Sequence, residues 1–107
     1  MKEIIVGKGS IFGKGVYANK DFKRGEVVIQ YNVKLLSEDE YKNLPNEEKY
    51  FVHTHWGVKY LYGIPERYVN HSLNPNTFSD IKNKCDVATR DIKTGEQITT
   101  NAIKDDI

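Results

Sequence analysis

The sequence reads RYVNHSLNPN over residues 67–76, and this stretch joins an Asn-His pair to a run of turn-forming residues. Asn74-Pro75-Asn76 is typical of a loop, because asparagine and proline both favour turn conformations. Residues 67–71 are predicted to form a helical turn or a short extended piece. Asn70 and His71 therefore stand just ahead of a loop, where they could hold a ligand or satisfy buried backbone groups.

Glycine-marked turns and β-branched strands flank this stretch in both directions. Toward the N-terminus, GKGVYA at residues 13–18 predicts a tight turn and then a strand, and DFKRGE at residues 21–26 predicts a turn before a strand over Glu26–Tyr31. Toward the C-terminus, Asp86–Arg90 and Gln97–Asn101 are predicted strands around a turn at residues 93–95. This density of short strands favours a mostly β domain.

One helix interrupts the predicted strands. Ser37 can cap it and Glu40 follows three residues later, as a capping box requires, while Pro45 with Asn46 would end it. Further strands are predicted at Glu3–Val6, Lys49–Val52 and Val58–Tyr62, the last two around a turn at Gly57. With 107 residues, the chain fits a single domain over residues 1–107.

Composition narrows the function classes. Apolar residues make up 38% of the chain and charged residues 29%, which is the balance of a soluble globular domain. The net charge of +1 argues against nucleic acid as a direct partner, because nucleic-acid-binding domains usually carry a basic excess. No apolar run is long enough for a signal or membrane segment. We therefore expect no membrane partner and a cytoplasmic location, or a nuclear one if the source is eukaryotic or viral.

Cysteine and histidine usage also limits the chemistry. Cys85 is the single cysteine, so the chain cannot form an internal disulfide or a thiolate zinc cluster, and a reducing compartment is expected. His53 and His55 would share one face of a strand. We expect no metal there, because no third residue stands at ligand spacing. Nothing around Cys85 resembles a nucleophile elbow.

Three segments, in this order, resemble the SET domain family. The first is residues 13–18 with residues 21–26, which are similar to the family's Gly-x-Gly start and its Gly-Glu strand. The second is residues 67–76, which are similar to the family's Arg-Phe-Ile-Asn-His-Ser-Cys-x-Pro-Asn signature. The third is ATRDIKTGEQIT at residues 88–99, which is similar to the family's closing motif. The resemblance extends over roughly Gly7 to Asn101.

The resemblance implies a fold, an activity and a cofactor. The fold would consist of several small β-sheets with a pseudoknotted C-terminal segment and one short helix. The activity would be transfer of a methyl group from S-adenosylmethionine to a lysine side chain of a protein, with the substrate lysine entering opposite the cofactor. Carried over residue by residue, the cofactor-binding residues would be Lys14, Gly15, Val16, Tyr17, Tyr50, Tyr68, Asn70 and His71.

Two of these assignments have open alternatives in the residues themselves. The glycines at 13 and 15 could simply permit a turn between strands. Tyr50 could equally be a core aromatic residue on a strand.

The sequence departs from the family pattern at its end. Ala102 stands where the family has a tyrosine that lines the lysine channel, and Thr100 stands where an aromatic residue is usual. Leu73 replaces the usual cysteine of the signature, and no cysteine-rich tail follows. The candidates to supply the missing hydroxyl are Tyr31, Tyr60 and Tyr62. The alternatives are an impaired, SET-like binding module, or a substitution or truncation of the sequence at this point.

The expected partner is a lysine-containing protein or peptide, with histone-like proteins as one class. A homodimer is one expected oligomeric state, because the relatives that lack a cysteine-rich tail often pair. A plain structural β domain without S-adenosylmethionine is a third, weaker interpretation. The sequence leaves the substrate lysine and the degree of methylation open.

Overall fold

The structure, a computed structural model, describes residues 2–101. Met1 and residues 102–107 lie outside the described residues, and so does the predicted departure at Ala102. The strands are β1 (Ile4–Ile11), β2 (Lys14–Ala18), β3 (Val27–Gln30), β4 (Lys34–Leu36), β5 (Val52–His55), β6 (Val58–Leu61), β7 (Asn70–His71), β8 (Thr77–Asp80), β9 (Cys85–Ala88) and β10 (Gln97–Thr100). The helices are α1 (Glu38–Lys42), α2 (Asn46–Lys49) and a 3-10 turn at Glu66–Tyr68. Within residues 2–101, no helix has the length and apolar character needed to cross a membrane.

The strands form three small sheets. Their orders are β1-β2-β10-β7, β3-β9-β8 and β4-β6-β5. Strand β10 lies between β2 and β7, antiparallel to the first and parallel to the second, with Ile98 opposite Val16 and Thr99 opposite Asn70. The end of the described chain is therefore inserted between its start and the Asn-His segment. The predicted class, mostly β with several small sheets, is confirmed.

The core lies where the sheets meet. Val16, Ile92 and Ile98 are fully buried, and Phe22 pairs with Ile92 through backbone hydrogen bonds in both directions at 2.8 Å. Burial of large aliphatic side chains is the main force that holds such small sheets together. The three predicted motifs each contribute core residues, so the same segments that resemble the family also build the centre of the fold.

The tight turn predicted at residues 13–15 is the tip of a two-residue hairpin. Phe12 and Gly13 have φ of 49° and 76°, which is the backbone of a type I′ turn. Strand β1 is longer than predicted, because Gly7 and Lys8 continue the pairing with β2, and Gly9 lies in an irregularity of the register between Lys8 and Ile11. A Cβ on Gly9 would stand 2.4 Å from the Lys14 carbonyl oxygen, so only glycine permits this approach.

The helical region differs from the prediction beyond residue 44. The capping box of Ser37 and Glu40 is confirmed, with Ser37 Oγ accepting from the Glu40 amide at 3.1 Å. Helix α1 ends at Lys42, ahead of Pro45 as predicted. The sequence analysis did not predict α2, which follows Pro45 directly, because proline is tolerated at the start of a helix, where its missing N–H has no partner to lose. The predicted strand Lys49–Val52 is therefore wrong over residues 49–51, and β5 begins at Val52.

Candidate functional site

A cavity of about 500 Å³ opens between the four-stranded sheet and the other two sheets. Its size lies within the range of small-molecule and cofactor sites. Three of the predicted cofactor-binding residues line it, Tyr50, Asn70 and His71, together with two of the predicted hydroxyl candidates, Tyr31 and Tyr62. Further lining residues include Ser10, Ile11, Phe51, His53, Glu66, Arg67, Val69, Ser79, Asp86, Gln97 and Thr100.

Asn70 ties the Asn-His segment to the β1–β2 hairpin. Its side-chain oxygen accepts from the Ser10 amide at 2.7 Å, and its Nδ2 donates to the carbonyls of Lys14 at 3.0 Å and Tyr68 at 2.8 Å. These are the backbone hydrogen bonds that the alternative interpretation expected. The side chain thus positions the wall of the cavity, and both its amide hydrogens are used within the protein.

Gly15 allows this hairpin and Asn70 to come close. A Cβ at position 15 would stand 3.1 Å from the Lys8 carbonyl oxygen and 3.3 Å from Asn70 Nδ2, tighter than side-chain contacts normally are. Gly13, not Gly15, carries the positive φ of the turn. Gly15 therefore allows close packing against the Asn-His segment, and the turn, whose positive φ lies at Gly13, does not explain it.

The other predicted cofactor-binding residues lie behind or beside the cavity wall. The Val16 side chain is 0% exposed in the core. The Tyr17 hydroxyl donates to the Lys8 carbonyl at 2.5 Å and accepts from Gln97 Nε2 at 3.1 Å. Lys14 Nζ lies 5.0 Å from the centre of the Tyr68 ring. The structure therefore brings Tyr50, Asn70 and His71 to the cavity, while Lys14, Gly15, Val16, Tyr17 and Tyr68 are not among its lining residues.

Tyr50 belongs to an aromatic cluster at the edge of the cavity, which consists of the exposed Phe12 and Tyr50 and the buried Phe51. Tyr50 is 63% exposed and follows α2, so the alternative of a core aromatic residue on a strand is wrong. Its ring lies 4.8 Å from that of Phe12 in an edge-to-face arrangement, and 5.3 Å from that of Phe51. The sequence did not single out Phe12 or Phe51. Only the fold places them beside the cavity.

Tyr31 is the most deeply placed hydroxyl candidate. Its hydroxyl donates to the carboxylate of Asp86, so its oxygen is left to accept from Ser79 Oγ at 2.7 Å. Burial, followed by the negative charge of Asp86, raises the pKa of Tyr31 far above its usual range. The phenol therefore stays protonated, and it can orient a ligand but cannot act as a base.

Tyr62 stands next to Tyr31, whereas Tyr60 does not line the cavity. The rings of Tyr31 and Tyr62 are 5.3 Å apart, and the Tyr62 hydroxyl is hydrogen-bonded to His55 Nε2 at 2.9 Å. Tyr60 lies on β6 with its ring 5.6 Å from that of His55. Of the three predicted candidates, the structure therefore places Tyr31 and Tyr62 at the cavity.

The other side chains that the sequence suggested for metal binding or nucleophilic chemistry are His53, His55 and Cys85. His53 lines the cavity with its ring 4.3 Å from that of Tyr62, and His55 is completely buried. Among residues 2–101, no group of three or more His, Cys, Asp or Glu side chains is arranged to hold a metal ion. Burial raises the pKa of the Cys85 thiol, with the charges of Asp80 and Asp86 adding to the effect. The neutral thiol is a poor nucleophile.

Two buried carboxylates in the cavity wall escaped the sequence analysis. Glu66 is 3% exposed and Asp86 is 2% exposed. Asp86 carried a signal that could have revealed it, since a period-two reading of β9 puts it on the same face as the core residue Ala88. Glu66 carried none, because a glutamate between Pro65 and Arg67 looks like an ordinary exposed residue.

Comparison with known proteins gives the chain a family. The family model of the SET domain matches residues 13–101. The Variant-silencing SET domain-containing protein of Plasmodium falciparum (isolate 3D7) is 28% identical over 94% of this chain, and the chain spans 5% of that protein's length. The crystal structure of a proposed histone methyltransferase of Plasmodium falciparum shares the fold with a TM-score of 0.72, at 21% identity, over 94% of this chain and 93% of that one.

A third similarity is to ctPRC2 in complex with H3K27me3 and H3K27M. That structure is 28% identical with a TM-score of 0.69 over 94% of this chain and 14% of the other. The family model covers all three segments that carried the resemblance, and the solved structures share the fold. The chain belongs to the SET domain family.

Proposed function

We propose that this protein is an S-adenosylmethionine-dependent protein-lysine methyltransferase. One observation carries the proposal: a single cavity joins the Asn70–hairpin wall to the buried pair Tyr31 and Tyr62. A methyl donor and an acceptor amine must meet within one enclosed space for the transfer to occur. The family membership and the methyltransferase neighbours support this activity.

The residues at the cavity fit S-adenosylmethionine. The cofactor has an aromatic base, an amino-acid end and a positively charged sulfur. The aromatic cluster of Phe12, Tyr50 and Phe51 offers rings for the base, and His71 with Thr100 offers polar groups. When bound, the cofactor supplies a methyl group on a sulfonium that leaves as a neutral thioether. The carboxylates in the wall favour positively charged ligands.

The chain's own residues would orient the acceptor amine. The amine must be neutral when it attacks, and a free lysine has a pKa of about 10.4, so the site must favour loss of the proton. Removal of water from around the amine lowers that pKa. The Tyr31 hydroxyl donates its hydrogen bond to Asp86, so its oxygen can accept a hydrogen bond from the amine. Tyr31 and Tyr62 would thus hold the nitrogen in line for attack.

Histone-like proteins are the substrate class that we propose. A structural neighbour contains H3K27me3 and H3K27M, and a second is a proposed histone methyltransferase. Lysine-rich tails without fixed structure would reach into a cavity that carries two carboxylates. Because the chain spans a small part of its relatives, the partners of the whole protein are part of this proposal.

Transfer of a radiolabelled methyl group tests the proposal. The protein is incubated with labelled S-adenosylmethionine and histone H3, and lysine methylation is located by mass spectrometry. S-adenosylhomocysteine binding is measured in parallel by calorimetry. We expect binding and incorporation. Binding of S-adenosylhomocysteine without methylation of any lysine, in histones or in basic bacterial proteins, would contradict the proposed methyltransferase activity. It would favour the alternative of a non-catalytic binding module.

The binding module is the second candidate, and the sequence at Ala102 favours it. Alanine has no hydroxyl where the family has a channel tyrosine. The variant Ala102→Tyr separates the two functions. If the unmodified protein is inert and the variant methylates lysine, the module is supported. If the unmodified protein already turns over, the module is rejected and Tyr31 or Tyr62 becomes the source of the hydroxyl.

A further inference from the structure

Glu66 is a buried residue whose carboxylate accepts hydrogen bonds from backbone amides next to Tyr31 and Tyr62. Its Oε2 accepts from the Asn32 amide at 2.6 Å and from the Gly63 amide at 2.9 Å. These amides belong to the residues that directly follow Tyr31 and Tyr62. The carboxylate is therefore anchored at the tyrosine end of the cavity, and one of its oxygens is fully used in holding that end together.

The second oxygen of Glu66 lacks a hydrogen-bond donor among the described residues. Oε1 is buried and has no hydrogen-bond partner within residues 2–101, although Glu66 lines the cavity. A buried carboxylate oxygen without a donor is costly, because it has lost its water and gained nothing in exchange. A purely structural role for Glu66 accounts for Oε2 and leaves Oε1 unexplained.

The neighbouring cation does not neutralise Glu66. The Arg67 guanidinium donates to both carboxylate oxygens of Glu48, at 2.9 and 3.1 Å, and to the Tyr62 carbonyl at 2.8 Å. Its Nε also donates to the Tyr62 carbonyl at 3.0 Å. Arg67 is the one lysine or arginine among the described lining residues, which also include the carboxylate of Asp86. The guanidinium that lies nearest to Glu66 in sequence is thus engaged with Glu48 and the backbone.

We propose that Glu66 Oε1 binds the acceptor lysine as an ammonium when it enters the cavity, before the amine loses its proton for the attack, and so selects a cationic side chain over an uncharged one. The proposal rests on the proposed function, since it names the group that recognises the substrate in the same cavity. A carboxylate accepts strongly from an ammonium, and a cation bound there would satisfy the unpaired oxygen. Glu66 is thereby a specificity-determining residue, distinct from Tyr31 and Tyr62, which orient the nitrogen.

Small probes test this without knowledge of the substrate protein. Isotope-labelled protein is titrated with n-butylammonium and with 1-butanol, its uncharged counterpart, and amide resonances are followed by NMR. The variant Glu66→Gln keeps the shape of the side chain and an acceptor for the two amides. We expect it to weaken butylammonium binding by about tenfold, which is the effect of losing one hydrogen bond between charged groups. Butanol binding should stay unchanged.

The control variant is Glu47→Gln, which removes the same charge from an exposed position in α2. It should leave butylammonium binding as it is. If Glu66→Gln keeps the full preference for butylammonium over butanol, the proposal is overturned. It is also overturned if the variant instead loses affinity for S-adenosylhomocysteine, because the ammonium that Glu66 binds would then be that of the cofactor.

Two further measurements cover a variant that does not fold and a failure of the proposed function. If Glu66→Gln does not fold, the same titrations are made on the unmodified protein. We then expect the amide resonances of Asn32, Gly63 and Glu66 to shift with butylammonium and not with butanol. No shift of these resonances would contradict the proposal. Failure of the proposed function is read separately. Absence of S-adenosylhomocysteine binding counts against that function, whereas the titrations of the cofactor-free protein still report on Glu66.

Discussion

The two ends of the cavity are built in different ways. At the hairpin end, uncharged groups of the β1–β2 hairpin and the Asn-His segment make the contacts: Asn70 binds three backbone groups, and Gly15 lets the two segments approach. At the tyrosine end, hydroxyls and carboxylates from distant loops and strands converge, as Tyr31 does with Asp86 over 55 positions of sequence. The hairpin end depends on close backbone packing, and the tyrosine end on buried charge.

The largest loss of stability is expected from a side chain added at Gly9, where the two strands of the hairpin are in close contact. Gly9→Ala places a methyl group 2.4 Å from the Lys14 carbonyl oxygen, which is backbone and cannot turn aside. We expect a loss of about 3 kcal/mol in the free energy of unfolding, measured in urea. Gly7→Ala is the matched control, because its Cβ meets the Tyr17 ring at an ordinary 3.6 Å. Equal stability of the two variants would show that the hairpin is not tightly packed.

Asn70→Ala tests the hairpin end through its hydrogen bonds. The change removes one acceptor and two donated hydrogen bonds to backbone groups. We expect about 2–3 kcal/mol of lost stability, at about 1 kcal/mol for each net hydrogen bond, and weaker S-adenosylhomocysteine binding in calorimetry. Asn74→Ala, at an exposed position in the loop after β7, should leave both the stability and the S-adenosylhomocysteine affinity unchanged. Undiminished cofactor affinity in Asn70→Ala would remove the hairpin end from the cofactor site.

Tyr31→Phe tests the tyrosine end, and it should separate the two ends. The buried Asp86 loses the hydrogen bond from the phenol, for which we expect about 1.5–3 kcal/mol of lost stability. Methyl transfer should fall, while S-adenosylhomocysteine affinity stays the same. Tyr41→Phe, outside the cavity, is the control for loss of a phenol hydroxyl. If S-adenosylhomocysteine affinity and the rate of methyl transfer fall together, the hairpin end and the tyrosine end of the cavity do not have separate roles.

The smallest effect concerns the ion pair behind the tyrosine end. Hydrogen bonds from Arg67 hold the pKa of Glu48 below its usual range. Because the folded-state pKa is the lower one, the stabilisation is present above the ordinary glutamate pKa of about 4.3, and it is lost as the pH falls through the folded-state value. Unfolding measured from pH 6 to pH 3 should therefore depend less on pH in Glu48→Gln. An unchanged pH profile would show that solvent screens the pair completely.

The difference between the ends also explains what the sequence could reveal. The hairpin end was predictable because its parts follow one another in short motifs: the glycines at 13 and 15, and the Asn-His pair. Tyr31 and Tyr62 were among the predicted candidates, but the reason they meet was not, since it lies in the pairing of β3 with β9 and β5 with β6. Glu66 was invisible, because nothing local marks a glutamate as buried.

Two local features of the structure differ from what the sequence predicts. The first helix ends ahead of Pro45 as predicted, but proline is also accepted at a helix start, and the additional helix α2 places Tyr50 at a helix end instead of on a strand. The sequence predicts either a helical turn or an extended piece over residues 67–71, and the structure contains both in succession, the 3-10 turn and then β7. The predicted homodimer and the cellular location stay predictions.

A crystal structure of the protein with S-adenosylhomocysteine tests the central claim most directly. We expect the ligand in the cavity between the Asn70-His71 segment and Tyr31, with its sulfur directed toward the tyrosine end, where Glu66 would receive the lysine ammonium. A ligand bound elsewhere on the molecule, with this cavity filled by solvent alone, would contradict the account.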